Sequence, residues 1–115
     1  MAQRFKGRTN FGQLGVLGST ATGSAGAATL NAAAGVITTE SLTTAAGAVF
    51  TETLTNSYIA AADIVLATVS TTGNGTPVVC EITPAAGTCV ITIQNIHASA
   101  AFNAVLKISF VVVKQ

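Results

Sequence analysis

The last two-thirds of the chain alternate apolar and polar residues with a period of two, which is typical of half-buried β-strands. The pattern is clearest in Val78–Gln94, where two runs rich in β-branched residues flank a turn that contains Pro84 and Gly87. Proline presets φ for the first corner of a turn, and glycine accepts the left-handed conformation that closes it. The segment therefore predicts a β-hairpin whose second arm, Cys89–Ile93, places every second side chain on one apolar face.

Four further segments show the same alternation, and short turn-rich links such as residues 71–77 separate them. They are Val36–Leu42, Val49–Asn56, Asp63–Ser70 and Val105–Val113. Together with the hairpin they predict six strands and no helix of consequence. The expected fold is all-β, an antiparallel β-sandwich or jelly-roll-like domain over residues 35–115.

Residues 1–34 have a different composition. The first 18 residues are basic and punctuated by glycine, and residues 19–34 are mostly alanine, glycine, threonine and serine. This composition is typical of a flexible or extended linker. It predicts an extended N-terminal arm and linker over residues 1–34, preceding the β-domain.

The composition is unusual for a self-sufficient small domain. Half of the residues are hydrophobic but only 8% are charged, against roughly 25% in ordinary soluble domains. Because surface charge keeps a free domain in solution, this shortage indicates a subunit whose neutral surface is covered by partners in an assembly.

The cations are concentrated on the arm. Arg4, Lys6 and Arg8 lie in the first eight residues, whereas the rest of the chain has two basic and four acidic residues and is net −2. Three cations without an aromatic platform are a weak nucleic-acid signal, so no specific nucleic-acid partner is expected. With Phe5 and Phe11 they are the candidate residues for contacting a protein partner.

The sequence favours neither membrane insertion nor secretion. Thr9–Thr39 is uncharged, but polar residues and glycine interrupt it throughout, so it lacks the roughly 20 apolar residues of a spanning helix. The apolar run after the basic start is too short and broken for a signal peptide. We therefore expect synthesis in a cytoplasm.

Residues that could carry chemistry are scarce. His97 is the only histidine, and two cysteines with one histidine do not supply a four-ligand zinc site. Neither a G-x-S-x-G elbow nor a phosphate-binding glycine loop occurs. We expect a non-enzymatic protein with no cofactor and no metal.

The two cysteines, Cys80 and Cys89, lie on opposite arms of the predicted hairpin. A disulfide requires Cα atoms within about 7 Å, and the hairpin register that decides this is open by a residue or two. Synthesis in a reducing cytoplasm favours two free thiols.

The threonine-rich strands and turns of the β-domain resemble small virion proteins of tailed bacteriophages, and most of all head decoration (cement) proteins. The segments that carry the resemblance span residues 35–47, 51–56, 90–95 and 106–112. The resemblance implies a β-sandwich or jelly roll that sits as dimers or trimers on the outer surface of a capsid. It also implies an extended terminus that clamps neighbouring major capsid subunits.

The sequence therefore predicts a non-enzymatic virion protein that stabilises an assembled phage capsid, with the major capsid protein and its own copies as partners. Two alternatives stay open. A tail-fibre or receptor-binding module would recognise a cell-surface glycan, but Tyr58 is the single tyrosine and tryptophan is absent. A surface adhesin or pilus-like subunit would need a secretion signal.

Overall fold

The computed structural model of the protein describes residues 19–115. Within this range the chain forms strands and no helix, and so no helix that could cross a membrane. The all-β prediction is confirmed. The eight strands are β1 (Thr20–Thr22), β2 (Ala27–Thr29), β3 (Ala34–Thr38), β4 (Val49–Thr55), β5 (Ile64–Thr71), β6 (Pro77–Ala85), β7 (Thr88–Asn95) and β8 (Leu106–Val113).

The strands form two four-stranded sheets, the arrangement of a β-sandwich. Sheet A has the order β1-β3-β8-β5, and sheet B has the order β2-β4-β7-β6. Both sheets are mixed, because β1 runs parallel to β3 and β2 runs parallel to β4. The prediction of a purely antiparallel sandwich is wrong at these two pairs. The physical reason is that β1 to β4 alternate between the sheets, and each crossing reverses the chain, so every second strand has the same direction.

Residues 19–34 differ from the predicted linker, because they contribute β1, β2 and the first residue of β3. Small side chains allow this close packing. A β-carbon at Gly35 would lie 2.9 Å from the Ser19 carbonyl oxygen, so β1 can approach β3 only where the side chain is hydrogen. The buried Asn56 side chain holds the loop between β2 and β3, because it donates a hydrogen bond to the Ala32 carbonyl and accepts one from the Ala32 N–H.

The predicted hairpin is present as β6 and β7, with a tighter turn than expected. Ala85 pairs with Thr88, so the connection is only two residues long, and Gly87 has a φ of +80°. Pro84 lies within β6 and not in the turn. This position is compatible with proline because β6 is an edge strand of sheet B.

The core lies between the two sheets and comes from one face of each long strand. On β7 and β8 the burial alternates along the strand as the sequence predicts. The fully buried apolar side chains with 0% exposure are Ile37, Leu54, Cys89, Ile91, Ile93, Leu106 and Ile108. Phe102, from the loop before β8, closes one end of this core.

The loops at that end are joined by the buried Asn95 side chain. Its amide group donates to the carbonyls of Thr44 and Ala100. Its oxygen accepts the N–H groups of Thr76 and His97. One side chain thus satisfies backbone groups of three separate connections, which matters because unpaired buried polar groups are costly.

Two glycines with left-handed backbones provide a test of this packing. Gly75 has a φ of +88°, and a β-carbon there would lie 2.5 Å from the Phe102 ring, whereas Gly47 has a φ of +82° and no atom within 4 Å of such a carbon. We expect Gly47→Ala to lose about 1–2 kcal/mol of unfolding free energy from backbone strain alone. Gly75→Ala should lose about 1–3 kcal/mol more, because the new methyl group overpacks the core. Urea unfolding of both variants measures the difference, and equal losses would contradict the described packing.

Candidate functional site

The outer face of sheet B is covered with threonine hydroxyls. The register places Thr51 beside Thr92 and Thr55 beside Thr88. Because cross-strand neighbours on one face are only about 5 Å apart, the hydroxyls form a continuous neutral surface. We call this surface the threonine face. Its members are Thr29, Thr51, Thr53, Thr55, Thr83, Thr88 and Thr92.

Charge is almost absent from this face. The four strands of sheet B contain two acidic residues and no basic residue, and only Glu81 is exposed, since Glu52 points into the sandwich. In sheet A the four strands contain a single charged residue, the exposed Lys107. The shortage of charge in the sequence is therefore concentrated on the two broad outer faces.

The outer face of sheet A carries an apolar patch at the start of β5. Ile64 pairs with Val113 and Leu66 pairs with Val111, so four apolar side chains lie side by side. Ile64 is 47% exposed, Leu66 55% and Val113 40%. Such a cluster of exposed aliphatic side chains on a small domain is typical of a surface that contacts another protein.

The strand that carries half of the patch, β5, is also an unprotected sheet edge. It contains no charged residue and no proline over its eight residues, and it pairs with β8 without a register shift. The edge strand of sheet B differs in all three respects, since β6 contains Pro77, Pro84 and Glu81 and has a register shift between Val79 and Glu81. Prolines, charges and bulges block edge-to-edge pairing. The β5 edge has none of them, although β6 of the other sheet lies close beside it.

A groove of about 490 Å³ follows this edge. Leu66 and Thr68 of β5 and Val111 of β8 form one side, and Val79 and Ile82 of β6 form the other. Val79 and Ile82 are only partly buried and pack against the core. The groove thus gives a partner access to apolar side chains next to unpaired backbone groups.

The side chains of His97 and Asp63 stabilise the local structure around them. His97 is exposed, and its Nδ1 accepts the N–H groups of Ser99 at 3.1 Å and Ala100 at 2.9 Å, which folds its own loop. Asp63 forms an ion pair with Lys114. The hydrogen bond from Lys114 is the main reason that the pKa of Asp63 is lowered. Residues 19–115 contain no group of three or more side chains suited to hold a metal.

The two cysteines are free thiols with different environments. Cys89 is buried opposite Pro84, and its burial raises the pKa of the thiol. Cys80 is exposed at the irregularity of β6, and its Sγ donates to the Thr92 carbonyl at 3.4 Å. Since Cys89 faces the core and Cys80 faces solvent, the two side chains lie on opposite sides of the hairpin.

The residues proposed for capsid contact, Arg4, Phe5, Lys6, Arg8 and Phe11, lie outside the described residues. Their role stays a prediction.

One feature not predicted from the sequence is the buried carboxyl group of Glu52, which interacts with the carboxyl group of the half-buried Glu40. Glu52 is 0% exposed, and neither of its carboxyl oxygens has a hydrogen-bond partner in the described part of the chain. Burial, followed by repulsion from Glu40, raises the pKa of Glu52 to about 7. The burial of Glu52 could have been predicted from the alternation of β4, because Glu52 lies on the same side of the strand as Phe50 and Leu54.

Comparison with known proteins finds no family model, curated protein or solved structure that matches the chain.

The thiol environments give a direct prediction. We expect one thiol per native chain, that of Cys80, to react rapidly with an aromatic disulfide reagent, and the second thiol to react only in denaturant. Cys80→Ser should abolish the rapid reaction, and Cys89→Ser should leave it unchanged. Two unreactive cysteines in the denatured, unreduced protein would contradict the structure, because they would indicate a disulfide.

Proposed function

We propose that this chain is a non-enzymatic structural subunit of a virion, which decorates and stabilises an assembled tailed-phage capsid by bridging neighbouring major capsid subunits. The proposal includes copies of the chain as dimers or trimers, a location on the outer capsid surface after synthesis in the host cytoplasm, and neither a membrane nor a specific nucleic acid as partner. A jelly-roll-like body and an extended N-terminal arm belong to the same proposal.

The observation that carries the proposal is the combination of two broad, nearly uncharged sheet faces with an edge strand, β5, that has no proline, charge or bulge. A free domain needs charge on its surface to stay in solution, and the strands of this domain expose one cation and one anion in total, Lys107 and Glu81. Surfaces with so little charge favour a domain whose faces are covered by neighbours. An assembly subunit meets this condition.

The size of each face favours several weak contacts over one strong contact. Four strands about 4.8 Å apart, each rising about 3.3 Å per residue, give a face of roughly 20 × 25 Å, or about 500 Å². A stable interface between two proteins buries about 800 Å² on each partner. A single face therefore supports weak binding, and tight attachment requires contacts with more than one neighbour at a time.

This requirement leads to the proposed mechanism. A protein that binds the assembled shell, but not the separated subunits, stabilises the shell by mass action without changing any covalent bond. Because each chain contacts several subunits, its contacts act together through a raised effective concentration. The threonine face and the apolar patch are the surfaces that we assign to these contacts, together with the arm residues Arg4, Phe5, Lys6, Arg8 and Phe11.

The first test uses preformed shells of the major capsid protein encoded by the same genome. We expect the full chain to sediment with the shells and to raise their melting temperature. Deleting residues 1–18 should weaken binding at least tenfold, with the β-sheet circular dichroism signal retained. Unchanged affinity of the truncated chain would exclude a role for the arm. Absence of binding by the full chain, combined with affinity for glycans, would favour the receptor-binding alternative.

The second test addresses the contact between copies of the chain. Leu66→Lys places a charge in the apolar patch, and Ser70→Lys places the same charge on the same face of β5 beyond the patch. We expect the first variant to weaken self-association at least tenfold, or about 1.4 kcal/mol, and the second to have little effect. Light scattering coupled to size exclusion measures the oligomeric state. Equal effects of the two variants would contradict a specific contact at the patch.

A further inference from the structure

The carboxyl groups of the buried Glu52 and the half-buried Glu40 lie beneath the segment that links β1 to β2. We call this segment, residues 23–26, the β1–β2 corner. A β-carbon at Gly23 would lie 2.8 Å from Glu52 Oε2, so the corner covers the Glu52 carboxyl directly. The N–H group of Gly26 donates to Glu40 Oε2 at 3.1 Å. The same corner thus touches both acids.

Three carboxyl oxygens at this place lack a partner among the described residues: both oxygens of Glu52 and Oε1 of Glu40. Buried oxygens without hydrogen bonds are costly, and a second negative charge nearby adds to the cost of burying a carboxylate. A proton on the Glu52 carboxyl removes its charge and supplies a donor. It therefore relieves both costs at once.

No basic group compensates the two acids. The strands around them, β1, β2, β3 and β7, contain no charged residue, and the only titratable side chain on these strands is the thiol of Cys89. Lys107 of β8 is exposed beside Thr38 on the outer face of sheet A. Among the described residues, no basic side chain reaches these acids, so binding of a proton is the remaining way to neutralise one of them.

We propose that a proton on the Glu52 carboxyl holds the β1–β2 corner against β4, and that loss of this proton releases the corner. The corner is the cover most easily opened. It joins two strands of only three residues each. Its backbone hydrogen bonds to neighbouring strands include those from Gly23 N–H to the Thr38 carbonyl and from Thr53 N–H to the Gly26 carbonyl. The device therefore controls how firmly β1 and β2 are held on the sandwich.

The direction of the pH dependence follows from the raised pKa. Glu52 has a pKa of about 7 in the fold and an ordinary value of 4.5 when the corner opens to water. The closed state therefore binds the proton more tightly than the open state. Its stabilisation is complete below pH 4.5, declines as the pH rises, and is lost above about pH 7.

Hydrogen exchange of backbone amides in the full chain tests the proposal. Between pH 5 and pH 8, protection factors of the Gly23 and Thr53 amides should fall on the order of 50-fold, while those of central β7 amides stay nearly constant. Glu52→Gln mimics the protonated acid and should remove the decline. Glu81→Gln, at an exposed carboxyl of β6, should retain it.

A further variant keeps the test decisive if Glu52→Gln does not fold. Glu40→Gln removes the repulsion but leaves the burial of Glu52, which is the larger cause of its raised pKa, so a smaller decline should remain. Protection factors of the Gly23 and Thr53 amides that stay constant between pH 5 and pH 8 in the wild-type chain would overturn the proposal. A full decline that persists in Glu52→Gln would overturn it as well.

Discussion

The alternation of side chains between the two faces of a strand is the constraint on which the rest of the structure depends. On β7 and β8 it sends one row of side chains into the sandwich and the other row to the surface. The rule makes no exception for charge. Glu52 lies between the partly buried Phe50 and the buried Leu54 in the inward row of β4. The apolar core and the unpartnered carboxyl group of Glu52 therefore have the same origin.

The outward rows carry very little charge. Hydroxyl groups hydrate the face of sheet B without giving it a strong electrostatic field, and aliphatic side chains occupy one end of sheet A. Two of the four edge strands differ in protection, because β6 carries prolines, a charge and a register shift and β5 carries none. Such features block edge-to-edge pairing, and the described structure has them at β6 and not at β5.

The extent to which the sequence predicts this structure depends on local pattern strength. The hairpin and β8 could be predicted because their alternation extends over eight or more residues. The strands β1 and β2 could not, since three-residue runs of alanine and threonine have too little hydrophobic contrast, and their pairing with β3 and β4 provides the ordering. The turn at Gly87 is shorter than predicted because Pro84 is tolerated in an edge strand. The place of β5 at a sheet edge and the cover over the Glu52 carboxyl depend on strand order, which local patterns do not encode.

The position of β8 has a consequence for how the chain folds. Sheet B contains a continuous antiparallel unit, β4, β7 and β6, that needs only residues 49–95. Sheet A depends on β8, which lies between β3 and β5 and pairs Ala34 with Val111. Such distant pairing makes folding slow. Until β8 pairs with β3 and β5, the inner apolar face of sheet B is not covered by sheet A. Exposed apolar surface of this kind makes a partly folded chain prone to aggregation.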